Sequence, residues 1–205
     1  MKDLIKLHLG CGAILKDGWV NIDSESKEEI IERYGISGEE RRQLELGPEI
    51  HQYDIFNLPF DDNSIDEILS EGMIEHLSFA EEPLFFYECA RVLKPGGTLN
   101  VQTDDFDGLI SLWLEAKDDF KEFYRLGSHN HWFGENKKDF ENRWGLLVTC
   151  FFGNQSSPGQ YHRNCYTEKK LLKVFELIGF NVPEISREKY KGQFDPMIRA
   201  VGQKR

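Results

Sequence analysis

The sequence predicts an α/β protein with a doubly wound, mostly parallel seven-stranded sheet and an antiparallel C-terminal strand. Three observations predict this class. Short apolar strands alternate with helical patterns, which is typical of parallel sheets. Turn residues separate almost every pair of elements. The 205 residues contain no repeat and no Pro/Gly/Ser-rich linker, so we expect a single domain over residues 1–205.

The first half of the chain predicts four strands. They are short apolar runs bounded by turn residues, and they span residues 4–9, 19–23, 51–54 and 65–70. The first run alternates apolar with polar side chains and stops at the G-C-G turn of residues 10–12. Between the second and third strands, the charged segment 26–46 predicts one or two solvated helices, broken near Gly35 and Gly38.

A helix and a fifth strand follow the fourth strand. Ser78 and Glu81 form a capping box ahead of the helix, and proline and glycine at residues 94–97 end it. Residues 98–103 are then the fifth strand. The apolar residues predicted for the buried side of the helix are Leu84, Phe85, Cys89, Val92 and Leu93.

The C-terminal part is less regular. Residues 109–123 are predicted to be helical, and the stretch after them is rich in Gly, Asn, His and aromatic residues. A further helix follows Thr167, with apolar side chains on one face and Gly179 as its stop. Residues 182–186 and 197–202 are the last two strands, predicted as an antiparallel pair at the sheet edge.

The charge balance and the cysteines limit the class of partner. Lys and Arg number 25 against 36 Asp and Glu, and the resulting net charge of -11 opposes binding to a phosphate backbone. We therefore expect a small-molecule, sugar or lipid-headgroup ligand and no nucleic acid. The four cysteines form no C-x-x-C pair, and no apolar run reaches the length of a signal sequence or membrane span. The sequence predicts a cytoplasmic protein with no membrane partner.

Each of the first four predicted strands leads into residues that suit a ligand site. Ligands of open α/β sheets bind beyond the carboxyl ends of the strands. Gly10 and Gly12 let the backbone approach a ligand closely, whereas Asp23, Asp54 and Glu71 bring carboxylates to the same edge. A carboxylate after the second strand can accept both hydroxyls of a ribose. The set therefore indicates a nucleoside-containing cofactor.

The glycine spacing argues against a dinucleotide. Dinucleotide folds use G-x-G-x-x-G at the start of a full helix, with an acidic residue about 20 positions further on. Here no third glycine follows the G-C-G turn, and Asp23 comes too early for a long helix to intervene. A cofactor that contains adenosine but no phosphates fits this pattern better.

Five short motifs occur in order along the first half of the chain. They are LHLGCG at 7–12, GWVNID at 18–23, DIFNLPFDDNSID at 54–66, EHL at 75–77 and RVLKPGG at 91–97. This set resembles the class I S-adenosylmethionine-dependent methyltransferases. The resemblance implies a Rossmann-like fold, S-adenosylmethionine as cofactor and methyl transfer as activity. The chain departs from many family members at His8, where an acidic residue is common, and at Ile14, where a third glycine is common.

The resemblance also implies eight cofactor-binding residues, which are Gly10, Cys11, Gly12, Asp23, Asp54, Ile55, Glu71 and Gly72. In this assignment the 10–12 turn passes the methionine portion and Asp23 binds the ribose. Residues 54–55 flank the adenine, and residues 71–72 line the pocket. From the residues alone, Asp23 could instead cap a helix, and Asp54 could form an Asx turn.

The candidate catalytic residues are His76 and Asp104. A base is needed only when the methyl acceptor is a hydroxyl or a protonated amine, because alignment supplies much of the acceleration. His76 follows the fourth strand at the cofactor-facing edge, and Asp104 and Asp105 follow the fifth. The alternatives are local hydrogen bonding for His76 and helix capping for the two aspartates.

Residues 106–166 are predicted to form an acceptor-binding insertion or lid. Histidines and aromatic residues in this segment can stack on a sugar or ring, or they can form a small aromatic core; they include His129, His131, Trp132, Tyr161 and His162. Its FGNQ and YHR sequences are also similar to those of bacterial methyltransferases encoded near surface-polysaccharide pathways. A zinc site from His129, His131, His162 and Cys165 is conceivable, but no ligand spacing repeats, so no metal is predicted.

The sequence therefore predicts a methyltransferase that acts on oxygen or nitrogen of a small-molecule or carbohydrate-type acceptor. One alternative is a protein that binds S-adenosylmethionine without catalysis, since no base is unmistakable. The other is a nicotinamide-dependent oxidoreductase or epimerase, which the missing third glycine and missing first helix disfavour. The sequence leaves the choice between monomer and homodimer open.

Overall fold

A single mixed sheet organises the computed structural model, which describes residues 4–115, 144–153, 155, 158–189 and 196–205. Its strands are β1 Lys6–Leu9, β2 Val20–Ile22, β3 Ile50–His51, β4 Ile65–Glu71, β5 Leu93–Asp104, β6 Glu184–Lys189 and β7 Pro196–Gln203. Within these residues the strand order is β3-β2-β1-β4-β5-β7-β6. Strands β1 to β5 pair in parallel, and β7 runs antiparallel to β5 and β6. The predicted fold class and the antiparallel pair at the edge are confirmed.

The helices of the described residues are α1 Lys27–Tyr34, α2 Gly38–Leu46, α3 Glu81–Val92, α4 Phe106–Glu115, α5 Trp144–Phe152 and α6 Glu168–Leu177. The same described residues also form two short 3-10 turns, at Ile74–His76 and Pro158–Gln160. The helix predicted over 109–123 is observed as α4, and residues 116–123 lie outside the described part. None of the described helices is long and apolar enough to cross a membrane.

Helices α1 and α2 arise from the charged segment between β2 and β3. The Ser26 hydroxyl accepts the Glu29 N–H, the Glu29 carboxylate accepts the Ser26 N–H, and Gly35 ends α1 in the left-handed region. The two helices are not fully solvated, because their apolar residues form a second core with β3 and the β1–β2 loop. That core contains Cys11, Ile30, Ile31, Ile36, Leu44 and Ile50.

Helix α3 packs on the main core through Phe85, Phe86, Cys89 and Val92. The predicted capping box is present, since the Ser78 N–H donates to Glu81 Oε2 at 2.7 Å and the Glu81 N–H donates to Ser78 Oγ at 3.3 Å. The prediction for Leu84 was wrong, because this side chain is 56% exposed. Leu84 lies one position before the buried stripe, outside the arc that faces the sheet.

Strand β5 begins before the predicted residue 98. Leu93 pairs with Ile65 and Thr98 pairs with Glu67, so residues 94–97 face only one residue of β4, Asp66. The Lys94 ammonium lies 2.6 Å from the Asp66 carboxylate and holds this irregularity. The Pro-Gly-Gly sequence therefore ends α3 as predicted, but it forms a bulge within β5 rather than a separate turn.

Arg91 on α3 fixes the loop that precedes β4. Its guanidinium donates to the Glu88 carboxylate, to Asp62 Oδ1 at 2.7 Å, and to the carbonyl oxygens of Phe60 at 2.9 Å and Leu58 at 3.1 Å. Glu88 also accepts the Leu58 N–H at 2.6 Å. The hydrogen bonds from Arg91, together with the N–H of Leu58, hold the pKa of Glu88 below its usual range.

The Arg91→Ala substitution is expected to lower the free energy of unfolding by about 2 kcal/mol, because it removes the guanidinium donors of two carbonyl groups and leaves the nearly buried Glu88 carboxylate with the Leu58 N–H alone. Urea unfolding followed by circular dichroism measures this loss. Since the depressed pKa of Glu88 stabilises the fold only above the unfolded pKa of a glutamate, the difference between the two proteins should shrink as pH falls below about 4. The exposed Arg42→Ala variant is the control, and an equal loss in both variants would contradict the assignment.

Candidate active site

A cavity of about 760 Å³ lies at the carboxyl ends of β1 to β5. The loops after β1 to β4 and the last residue of β5, Asp104, contribute to its wall. The predicted site residues that line it are Gly10, Gly12, Asp23, Asp54, Ile55, Gly72, His76 and Asp104. Four adjacent strand ends and the end of β5 thus converge on one space, which is where ligands of open α/β sheets bind.

Gly10 and Gly12 shape the turn after β1. The N–H groups of Gly10 and Cys11 donate to the Ile22 carbonyl at 2.9 and 3.1 Å, and both glycines have positive φ. A Cβ at Gly10 would lie 2.3 Å from Met73 Cγ, so packing against Met73 requires this glycine. At Gly12 only the Tyr34 hydroxyl would lie within 4 Å of a Cβ, at 3.8 Å, and this glycine leaves space beside the backbone.

The Asp23 carboxylate organises the loops after β1 and β2. Its Oδ2 accepts the Gly12 N–H at 2.8 Å, and its Oδ1 accepts the Glu25 N–H at 3.1 Å. A carboxylate has about four acceptor positions, so each oxygen can accept another donor from a ligand in the cavity. This arrangement is compatible with binding of a ribose diol, and it also supports the backbone of the glycine turn.

Asp54 lies in a loop rather than at a strand end, because β3 is shorter than predicted and stops at His51. Its Oδ1 accepts the Phe56 N–H at 2.9 Å and forms the Asx turn that was the structural alternative. The turn carries Ile55 and Phe56 to the cavity wall, next to Tyr53. This wall is apolar and aromatic, as a planar heterocycle requires.

Two predicted cofactor residues, Cys11 and Glu71, do not line the cavity. Cys11 is 3% exposed in the α1–α2 core, and burial raises the pKa of its thiol to about 12. The Glu71 carboxylate lies 2.9 Å from Arg199 and 3.4 Å from Lys16. Burial alone would raise the pKa of Glu71, but these two cations lower it overall.

Four ionisable side chains form a polar cluster at the cavity wall, namely Glu75, His76, Asp104 and His162. The His162 Nδ1 lies 2.7 Å from the Cys150 carbonyl oxygen and 3.2 Å from Asp104 Oδ2. The two imidazole rings meet edge to face with centroids 4.7 Å apart.

Elements that are distant in sequence build this cluster. Glu75 and His76 belong to the 3-10 turn after β4, Asp104 ends β5, and His162 follows α5. Main-chain bonds join the turn to the distant segment, since the Glu75 carbonyl accepts the N–H groups of Arg163 at 2.8 Å and Asn164 at 3.1 Å. The sequence indicated His76 and Asp104 singly but gave no signal that His162 would lie beside them.

The cluster shifts the pKa of its members. Burial, and secondly the charge of Asp104, raise the pKa of Glu75 to about 7. Burial and the neighbouring His162 lower the pKa of His76 to about 4. Burial also opposes the charged form of His162, but hydrogen bonding to Asp104 and the charge of Glu75 raise its pKa above the usual value. Perturbed groups gathered in one cavity are typical of functional sites.

Other candidate residues lie elsewhere. The Asp105 carboxylate is buried and accepts the Arg187 Nε–H at 2.9 Å, outside the cavity wall. Cys165 is exposed, so the zinc set considered from the sequence is not assembled by its two described members, His162 and Cys165. His129, His131 and Trp132 lie outside the described residues.

Comparisons with known proteins bear on this site. Residues 20–101 match the family model of the methyltransferase domain. The chain is 33% identical over 115 residues to an uncharacterized 37.1 kDa protein in transposon TN4556 of Streptomyces fradiae, which covers 50% of the chain. The chain spans only 31% of that protein's length.

Solved structures share the fold. A S-adenosylmethionine-dependent methyltransferase from Methanosarcina mazei has a TM-score of 0.59 at 18% identity, with 100% of this chain and 93% of that chain covered. The 1,6-didemethyltoxoflavin-N1-methyltransferase of Burkholderia thailandensis, with S-adenosylhomocysteine bound, has a TM-score of 0.57 at 15% identity, with 98% and 70% covered. The likeness to these structures shows the fold, and residues 20–101 match the methyltransferase domain, so the chain is similar to the class I S-adenosylmethionine-dependent methyltransferases in its fold and over that segment.

Proposed function

We propose that this protein transfers a methyl group from S-adenosylmethionine to an oxygen or nitrogen of a small-molecule or carbohydrate-type acceptor. One observation carries the proposal. A single cavity joins the glycine turn and Asp23, on the β1 and β2 side, to the polar cluster on the β4 and β5 side. A methyl donor and its acceptor need such a shared space, because the displacement requires both reactants in line.

The residues on the β1 to β3 side suit S-adenosylmethionine. Asp23 would accept the ribose hydroxyls, and the Tyr53 to Phe56 loop would contact the adenine. Arg33 lines the same cavity and pairs with Glu25, while its Nε and Nη1 are buried without a hydrogen-bond partner among the described residues. A carboxylate such as that of the methionine portion would satisfy a guanidinium of this kind.

The residues on the β4 and β5 side would hold the acceptor. When bound, S-adenosylmethionine supplies an electrophilic methyl group, whose bond to sulfur breaks as the bond to the acceptor forms, leaving S-adenosylhomocysteine. His76, His162 and Asp104 present polar atoms that would bind and orient an acceptor hydroxyl or amine. We therefore propose catalytic roles for His76 and Asp104, as expected from the sequence, and we add His162 to them.

The acceptor class rests on charge and on the cavity. The net charge of -11 opposes a nucleic-acid acceptor, and a cavity of about 760 Å³ is in the range for small ligands. The enzyme from Burkholderia thailandensis, whose structure holds 1,6-didemethyltoxoflavin, is a precedent for a small heterocyclic acceptor on this fold. We propose a cytoplasmic location, as expected from the absence of a C-x-x-C pair in the sequence.

A thermal-shift series with S-adenosylmethionine, S-adenosylhomocysteine and NAD tests the cofactor. At a hundredfold excess over the dissociation constant, a ligand of the folded form adds about 2.7 kcal/mol, or roughly 5–10 °C for a chain of this size. We expect this rise with the two sulfur compounds and none with NAD. A rise with NAD alone, or no rise with any of the three compounds, would overturn the proposal.

Turnover separates catalysis from simple binding. Incubation with S-adenosylmethionine and panels of sugars, phenols and amines should release S-adenosylhomocysteine, detected by mass spectrometry, with at least one class of acceptor. Tight cofactor binding without product from any panel would favour the non-catalytic alternative.

A further inference from the structure

We propose that Glu75, His76 and His162 bind one divalent cation of the zinc class at the wall of the cavity. Each of these residues offers one ligand atom, and the three atoms lie within 4.8 Å of one another. The proposed donor set of two imidazole nitrogens and one carboxylate oxygen is one that catalytic zinc sites use. The site goes beyond the proposed methyl transfer, which does not itself require a metal.

The hydrogen bonds of the two histidines prepare them as ligands. The Nδ1 of His76 lies 3.1 Å from the Tyr161 carbonyl oxygen, and the Nδ1 of His162 faces the Cys150 carbonyl oxygen and Asp104. Carbonyl and ionised carboxylate oxygens only accept, so each Nδ1 carries the hydrogen in these bonds. The Nε2 of each neutral ring then keeps its lone pair for a cation, as in most metal-binding histidines.

The third proposed ligand, Glu75, is also held in place by a hydrogen bond. It is 4% exposed, and its Oε2 accepts the Thr103 hydroxyl at 3.0 Å. No lysine or arginine among the described residues forms a salt bridge with its carboxylate. A buried carboxylate without a lysine or arginine partner is costly, and coordination to a metal ion is one of the ways in which proteins stabilise it.

The backbone holds the three ligands at fixed positions. Glu75 and His76 are adjacent on one 3-10 turn. The residues that follow His162 are joined to that turn, since the N–H groups of Arg163 and Asn164 donate to the Glu75 carbonyl and Arg163 Nε donates to the His76 carbonyl at 2.7 Å. In a tetrahedral zinc site the ligand atoms are about 3.4 Å apart, as bond lengths of about 2.1 Å dictate. Small side-chain rotations would therefore bring the three atoms to bonding distance.

A cation held by three side chains keeps a coordination position for water or substrate. A hydroxyl of the acceptor that occupied this position would have a lowered pKa and would lose its proton to solvent more readily. This role rests on the proposed methyl transfer, whereas the binding site itself does not. Magnesium is not the expected ion, because it prefers oxygen ligands in octahedral geometry.

Metal binding by tag-free protein tests the site without any assay of activity. After treatment with a chelator, the full chain is titrated with Zn²⁺ against a chromophoric competitor, and with Co²⁺ to record the visible absorption of the bound ion. We expect one equivalent of each and weak binding of Mg²⁺. Loss of a hydrogen-bond partner of a ligand lowers metal affinity about 10–100-fold, so His162→Ala should weaken Zn²⁺ binding at least 100-fold.

Two further variants and a cofactor measurement complete the test. Glu75→Gln keeps the shape of the side chain and should also weaken Zn²⁺ binding. It provides the test if His162→Ala proves poorly folded. Cys165→Ser and His51→Ala remove a thiol and an imidazole that lie outside the proposed site. Both variants should bind Zn²⁺ as the unmodified chain does. Absence of a stoichiometric ion, or binding that both ligand variants retain, would overturn the site. A thermal shift with S-adenosylhomocysteine in chelator shows separately whether the proposed function stands.

Discussion

Replacing Asp23 by alanine is expected to weaken the binding of S-adenosylhomocysteine roughly 100-fold or more. A hydrogen bond to a charged group contributes about 1.5–3 kcal/mol, and a ribose would lose two of them. The substitution also removes the acceptor of the Gly12 and Glu25 N–H groups, which shape the loops on either side. Isothermal titration calorimetry at neutral pH measures the change.

Matched variants separate the loss of hydrogen bonds to the ribose from the loss of support for the two loops. Asp23→Asn keeps one acceptor oxygen and should fall between the alanine variant and the unmodified chain. Asp17→Ala, an exposed aspartate of the same connection, should bind as the unmodified chain does. A dissociation constant for Asp23→Ala within threefold of the original would show that the ribose lies elsewhere.

Replacing Gly153 by alanine is expected to lower the melting temperature by roughly 10 °C. Its φ of +75° lies in the left-handed region, and a Cβ there would be 1.8 Å from the Gln160 carbonyl oxygen and 2.8 Å from the His162 nitrogen. Left-handed backbone costs a non-glycine residue about 1–2 kcal/mol, and overpacking adds about 1–3 kcal/mol. Differential scanning fluorimetry measures the sum, at about 2–4 °C per kcal/mol for this chain length.

Gly159→Ala is the control for this effect, because a Cβ at Gly159 would have no heavy atom within 4 Å and its φ is not in the left-handed region. It should change the melting temperature by no more than about 1–2 °C. Hydrogen exchange gives a second readout, since the His162 N–H donates to the Phe152 carbonyl and should lose protection only in Gly153→Ala. Equal behaviour of the two variants would contradict the proposed packing.

The sequence predicted the sheet well because its signals are local. Apolar alternation, the capping box at Ser78 and the glycine turn each lie within a few residues, and they identify strand ends that the topology then brings to one edge. Boundaries were less accurate. The bulge after Leu93 and the short β3 depend on pairing with β4 and β2, which no local pattern encodes.

In the candidate site too, local patterns identified several residues, whereas contacts between distant residues were not predicted. Gly10 and Asp23 were expected at the cavity, but the steric reason for Gly10 is Met73, which lies 63 positions further along the chain. The sequence placed His162 in the insertion and in a conceivable zinc set, but not beside His76, because the contacts of its segment with the turn after β4 join residues more than 80 positions apart. Glu71 was placed in the pocket by its position, whereas the long-range partner Arg199 holds its carboxylate.

The attachment of the 161–164 segment to the turn after β4 has a consequence for how this protein can diverge. Two hydrogen bonds of that attachment join main-chain groups, from the N–H groups of Arg163 and Asn164 to the Glu75 carbonyl, and the side chains of His76 and Arg163 supply two more. Almost any amino acid can supply such groups, and proline alone lacks the N–H. The two main-chain bonds therefore persist when side chains on this wall are exchanged during evolution. New acceptor preferences could arise by single substitutions there, with the cofactor side of the cavity unchanged.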